Sequence, residues 1–314
     1  MRYLIKKVVS LFITLLLISL LTFTAFSVIP GDAAAAKLGM DATPEQVEAL
    51  REEMGLNDSL PVRYVNWLKV AVQGDFGESY QYEGQSVAGL LADRLPVTAL
   101  LALLAFIMIL LVSIPLGILC ARFRGGWLDT LINQLSQITM AVPSFFLGLL
   151  LTYIFGLVLH WFQPGAFVSP KEDLAGSIQY LIFPAIAVAL PKIAMVVKFL
   201  RNSILSELKL DYVRTARSKG NSEQRILYKH VLRNALIPVI TFLALVVADI
   251  LAGSIVVEQV FSVTGIGRLL IASISSRDYP VVQAIVTYIT VIVITSNFVV
   301  DLLYQIVDPR VKVR

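Results

Sequence analysis

The chain has 314 residues, 57% of them hydrophobic and 15% charged, and its mean hydropathy of +0.78 excludes a water-soluble domain of ordinary composition. A single cysteine, Cys120, excludes an internal disulfide framework, and two histidines, His160 and His230, leave little for a metal site. The formal charge of +4 reports orientation in a multi-spanning chain, and nucleic acid is not an expected partner.

Arg2, Lys6 and Lys7 precede a first apolar run from Val8 to Ile29. Ala33 to Ala36 resemble a cleavage site, but the run is roughly twice a signal peptide's 7 to 15 apolar residues, so residues 1–29 are expected to hold a retained transmembrane helix. Residues 30–95 form a long, acid-rich loop, expected to fold as a small outer subdomain. Within it, Pro44 to Met54 carries a helical period, Gly74-Asp-Phe-Gly77 punctuates the chain, and Val87 to Leu95 reads as an interfacial helix before Pro96 opens the next span.

Runs long enough for a hydrocarbon core of roughly 30 Å follow at Pro96 to Cys120, Gln134 to His160, Gln179 to Val197, Ala235 to Val257 and Val281 to Val300. The expected fold is therefore an all-α integral membrane protein of about six transmembrane helices. Its membrane domain covers 96–308, and 309–314 is a tail. With the N-terminus in the cytoplasm, about 17 of the 26 Lys and Arg residues lie inside and about 8 outside, while most acids fall in the first outer loop. Both biases favour a multi-pass chain with both termini cytoplasmic.

The segment 201–234, between the fourth and fifth spans, carries two helical patterns separated by Gly220-Asn221. Ile204, Leu208, Tyr212 and Ala216 draw one apolar stripe, with Arg214, Arg217 and Lys219 near its end, where cations suit the helix dipole. Gly220 is expected to cap that helix in left-handed geometry. Ser222 is expected to start the next, with Ile226, Leu227 and Val231 facing one way. Composition alone fits a hairpin lying on anionic lipid as well as it fits a docking surface.

Three charges stand out in or near spans. Asp249, mid-way along the fifth, costs roughly 2.5 to 3.5 kcal/mol on insertion scales and must face protein or water, either lining a pathway or hydrogen-bonding a neighbouring helix. Lys192 is expected to snorkel to the cytoplasmic surface rather than pair with Asp249. Asp301 is expected to be solvated at the inner boundary. Pro143, Pro184 and Pro191 mark expected kinks.

Thr215-Ala216 ahead of Gly220 resembles the Glu-Ala-Ala loop of binding-protein-dependent ABC importer permeases. Aligned on the glycine, that family's Glu-Ala-Ala falls on Arg214, Thr215 and Ala216, and its Leu-Pro on Leu232 and Arg233, so Arg214, Thr215 and Arg233 depart from the general pattern. Thr215-Ala-Arg217 and Leu232-Arg-Asn-Ala-Leu-Ile-Pro238 are instead similar to the dipeptide, oligopeptide and nickel permeases. Met1-Arg-Tyr-Leu-Ile-Lys-Lys7, Ile29-Pro-Gly-Asp32, Gly55-Leu56, Gly74-Asp-Phe-Gly-Glu-Ser79, Arg94-Leu-Pro-Val-Thr98, Val257-Glu-Gln-Val-Phe261, Gly265-Ile-Gly-Arg268, Arg277-Asp-Tyr-Pro280 and Asp308-Pro-Arg310 resemble the first, B-type permease of that branch.

The resemblance implies a type I importer permease in a bacterial or archaeal cell membrane. It implies a heterodimer with a second, homologous permease, two ATPase subunits and an extracytoplasmic substrate-binding protein. Arg214, Thr215, Ala216, Arg217, Gly220 and Ser222 would couple to the ATPases. The chain has no G-x-x-x-x-G-K-[ST] loop, so ATP and Mg are expected on the partner subunits, with no cofactor and no catalytic site here. Glu258 with Arg268 or Arg277 is either an outer gate or a set of solvated helix-end charges. Peptide is the first substrate expectation and nickel or a metal chelate the alternative. A proton-coupled secondary transporter would need an embedded carboxylate but has no use for the basic hairpin, and an intramembrane enzyme lacks clustered nucleophile, base or metal ligands.

Overall fold

The computed structural model describes residues 2–28, 33–38, 42–82 and 84–307. The Ile29-Pro-Gly-Asp32 and Asp308-Pro-Arg310 motifs, the tail and the Asp301 side chain lie outside what is described. In chain order the helices are α1 (Arg2–Val28), α2 (Ala33–Leu38), α3 (Pro44–Glu53), α4 (Leu60–Ala71), α5 (Val87–Arg122), α6 (Trp127–Ala141), α7 (Ser144–Leu151), α8 (Leu174–Glu207), α9 (Asp211–Ser218), α10 (Glu223–Arg225), α11 (Leu232–Val260), α12 (Ile266–Ser275) and α13 (Tyr279–Val307). Wide-turn π segments at Thr152–Val158 and Ile226–Val231 extend α7 and join α10 to α11. Among the described residues five helices are long and apolar enough to cross a membrane, six if the bent pair α6–α7 counts as one span.

Contacts divide the chain into two units. The first holds Met1–Val97 with Thr264–Thr295. There α3 begins as the acidic helical period suggests, through a reciprocal capping box: Gln46 N–H donates to Thr43 Oγ1 at 3.3 Å, and Thr43 N–H to Gln46 Oε1 at 2.9 Å. Helix α4 is held to α1 by a 2.8 Å hydrogen bond between Tyr64 and Ser19 hydroxyls. Phe23 packs on Tyr64 and Trp67, ring centroids 5.5 and 5.6 Å apart. Gly74 and Gly77 take φ of 82° and 81°, a conformation side chains resist.

The next link joins two of the sequence motifs. Asp278, fully buried, accepts hydrogen bonds from the Ser79 hydroxyl and from the N–H groups of Tyr80 (3.1 Å) and Gln81 (3.4 Å). Ser276 Oγ donates to Gln81 Oε1 at 2.7 Å alongside. Burial, then the Asp278 charge, pushes the Tyr80 phenol up to about 12, with Arg63 opposing.

The second unit holds Thr98–Val263 with Ser296–Arg314. Helix α8 is its spine and the most buried of the spanning helices, packing against α6, α7 and α11. Small residues let backbones close in: a Cβ on Gly117 would sit 2.9 Å from Leu200, and one on Gly148 3.1 Å from the Phe261 ring. Tyr180 OH donates to the Phe261 carbonyl at 2.6 Å, and Phe199 stacks on Phe242 at 4.5 Å.

Two expectations are corrected. Pro96 does not open a helix, because α5 starts at Val87 and runs through it; Pro96 and Ala92 are both exposed, so the carbonyl freed by the missing N–H is not stranded in the core. The kink expected at Pro143 within the run Gln134 to His160 is present: Val142 is extended before it, and α6 and α7 meet at 99°. Pro184 and Pro191, in contrast, stay inside one helix. Lys192 does not snorkel alone. Its Nζ donates to Asp249 Oδ2 at 2.8 Å, joining α8 to α11.

Candidate functional site: the hairpin between two spanning helices

The stripe Ile204 to Ala216 is divided between two helices. Helix α8 ends at Glu207, and α9 starts at Asp211 after a turn at Leu208 to Leu210. The four-residue spacing nevertheless places Ile204 and Ala216 in the core, with Leu208 and Tyr212 half-buried. Tyr212 OH donates to Glu207 Oε2 at 2.6 Å across that turn. Burial, then this hydrogen bond, raises the Tyr212 phenol's pKa.

Helix α9 has two faces. Val213 and Ala216 are buried, while Arg214, Thr215, Arg217 and Ser218 are exposed. It ends in a Schellman motif: Gly220 N–H donates to Arg217 O at 2.9 Å, Asn221 N–H to Ala216 O at 3.3 Å, and Gly220 has φ 78°. Asn221 Nδ2 adds a 3.1 Å bond to the same Ala216 carbonyl. Ser222 caps the following helix, its Oγ accepting from Arg225 N–H at 3.4 Å. Ile226, Leu227 and Val231 are all buried, as their spacing requires.

The outer edge of the turn is tied by Arg217, which donates to both Glu223 oxygens at 2.7 and 3.0 Å. Hydrogen bonding by Arg217 lowers the Glu223 carboxyl below its usual range, and Glu223 raises Arg217 in return. Both side chains are exposed, so the pair fixes geometry more than it adds stability.

The base of the hairpin is anchored by a contact that the sequence reading does not contain. Arg201 donates to Asp129 Oδ1 and Oδ2 at 2.6 and 2.7 Å, and Asp129 also accepts from Gly125 N–H and Asn133 Nδ2 at 2.9 and 2.7 Å. The one hint is an isolated acid two residues after Gly125-Gly126-Trp127 at the start of α6. Arg122, Arg124, Lys209, Arg214, Arg217 and Glu223 line a cavity of about 390 Å³ beside the hairpin. Its surplus of cations suits an acidic protein surface or a phosphate group.

Glu258 is not a solvated helix-end charge: it is fully buried and accepts from Thr98 Oγ1 at 2.7 Å. Arg277 is exposed with φ 58°, and Arg268 is half-buried in α12. Among the described residues no three His, Cys, Asp or Glu side chains gather as metal ligands.

Residues 113–313 match the family model described as binding-protein-dependent transport system inner membrane component, and residues 1–102 match the model of its N-terminal region. The chain is 38% identical over 312 residues to the oligopeptide transport system permease protein AppB of Bacillus subtilis (strain 168), covering 99% of each. It is 38% identical over 308 residues to a protein of Brucella abortus (strain 2308) named as a peptide transport system permease, covering 98% of each. It is 35% identical over 310 residues to the peptide ABC transporter permease protein y4tP of Sinorhizobium fredii (strain NBRC 101917 / NGR234), covering 99% of each.

Proposed function

This chain belongs to the binding-protein-dependent transport system inner membrane components, the multi-pass permeases of ABC importers, and from that premise we propose that it carries peptides as half of a two-permease pathway. The observation that carries the mechanism is the hairpin α9–α10, whose exposed edge presents Arg214, Thr215, Arg217, Gly220 and Ser222 between two spanning helices. Two ATPase subunits, which bind ATP and Mg, dock on this edge. Ala216 faces inward and seats α9 on the helices behind it. A push on α9 then passes to α8 through the short turn at Leu208 to Leu210 and to α11 through the π segment Ile226–Val231. Rigid helices transmit such a push as a switch between packings rather than by bending.

The hairpin lies in the cytoplasm, as do both termini, and the membrane is the bacterial or archaeal cell membrane. Residues 30–95 and 261–280 meet an extracytoplasmic binding protein on the other side. Glu258, Arg268 and Arg277 are assigned to the outer end of the pathway. Peptide is favoured as cargo because the named relatives are peptide and oligopeptide permeases.

The test is uptake by vesicles holding this chain with its partner permease, ATPases and binding protein, offered labelled peptides or nickel. ATP-dependent peptide uptake is expected. Uptake of nickel alone would replace the cargo, and uptake without the ATPases would overturn the mechanism.

A further inference from the structure

Lys192 and Asp249 each lie more than ten residues from either end of α8 and α11, about 15 Å at 1.5 Å per residue. Both therefore lie well inside helices that are long and apolar enough to cross a membrane. The Lys192 side chain is 20% exposed, but that of Asp249 is 54% exposed. A carboxylate in this position cannot face lipid without large cost.

The face around it is not lipid-like either. Leu245, Asp249, Ala252, Val256 and Gln259 are exposed along α11 at alternating four- and three-residue spacing, which is one side of a helix. A Cβ added to the adjacent Gly253 would meet nothing within 4 Å. Leu245 and Val256 are apolar, but between and beyond them the stripe carries an acid at Asp249, small residues at Ala252 and Gly253, and an amide at Gln259.

We propose that the Lys192–Asp249 pair lines the translocation pathway and is a way-station for the charged termini of a peptide in transit. This rests on the peptide reading above. A free peptide carries an ammonium and a carboxylate at neutral pH, and both need counterions when stripped of water. A lone aspartate would strand a charge whenever the pathway was empty. A neutral pair strands none, yet offers one partner of each sign when cargo arrives. The peptide ammonium goes to Asp249, the more exposed member, and the peptide carboxylate to Lys192, so two ion pairs replace one and no net charge is left unmatched.

The test uses the complete reconstituted transporter. Cys120 is the single cysteine and is buried, so Asp249→Cys introduces an accessible thiol on a quiet background. A charged, water-soluble methanethiosulfonate reagent should modify it, as it does the exposed control Glu172→Cys, and transported dipeptide with ATP should slow the reaction at Asp249→Cys alone. The paired change Lys192→Met with Asp249→Leu removes both charges without leaving one unpaired. It should keep the complex assembled and lower dipeptide uptake about tenfold, whereas the swap Lys192→Asp with Asp249→Lys should stay within about threefold of the parent. A control thiol that reacts while Asp249→Cys does not means that a partner helix covers this face and overturns the proposal. So does loss of assembly in the apolar pair, or undiminished uptake by it. Failure of the unmodified transporter to take up any peptide identifies the cargo assignment as the error, while thiol access still reports whether Asp249 faces water.

Discussion

Asp278 accepts the Tyr80 backbone N–H at 3.1 Å, across 198 residues of sequence, and the Ser79 hydroxyl beside it. The acid thereby closes one turn of the loop after α4 onto the start of α13. Asp278→Ala strands the buried Ser79 hydroxyl and two part-buried N–H groups and is expected to destabilise this unit by about 2–3 kcal/mol, Ser79→Ala by about 1 kcal/mol. Thermal unfolding in detergent measures both.

Tyr80 titrates at about 12, raised from 10.0 by burial and Asp278. Its neutral phenol is the form the fold favours. That contribution is complete below the unfolded value and is lost as pH rises from about 10 through about 12. Phenolate absorbance should show a late-titrating component that shrinks by one tyrosine in Tyr80→Phe, and stability should fall across the same window less steeply in that variant.

Gly220 combines φ 78° with an N–H that donates to Arg217 O. Gly220→Ala is expected to cost about 1 kcal/mol from left-handed strain. Gly220→Pro forbids both features, and it should leave the protein inserted while ATP hydrolysis no longer drives uptake. Hydrolysis and uptake measured on the same vesicles decide the point, and normal transport would remove the coupling role from this turn.

Asp129 is nearly buried and holds Arg201 bidentately. Removing either partner alone is expected to cost about 3–5 kcal/mol, because the other charge is left behind. The double change Asp129→Leu with Arg201→Met should cost much less than the sum. A double-mutant cycle by thermal unfolding gives the coupling directly.

What was legible in the sequence was mostly local. Gly220, Ser222 and the buried triplet Ile226, Leu227 and Val231 could be read because a cap or a helix face is specified within a few residues. Asp129–Arg201 and Lys192–Asp249 join residues 72 and 57 apart, and no spacing rule links them. The Lys192 expectation failed for that reason: snorkelling considers one helix and its nearest interface, while the partner came from another helix. Asp278 was visible only as part of a motif. Its role needed the loop at Ser79, which the sequence marks by glycines without saying what it closes on.

The 99° bend between α6 and α7 bears on more than local shape. Fifteen residues of α6 reach only about 22 Å at 1.5 Å per residue, short of a roughly 30 Å core. The proposed topology, with both ends of the chain in one compartment, requires α6 and α7 together to complete one crossing, so that the number of crossings is even. The two-sided geometry proposed here, with ATPases on one face and a binding protein on the other, thus depends on the parity contributed by a single extended residue, Val142, ahead of Pro143.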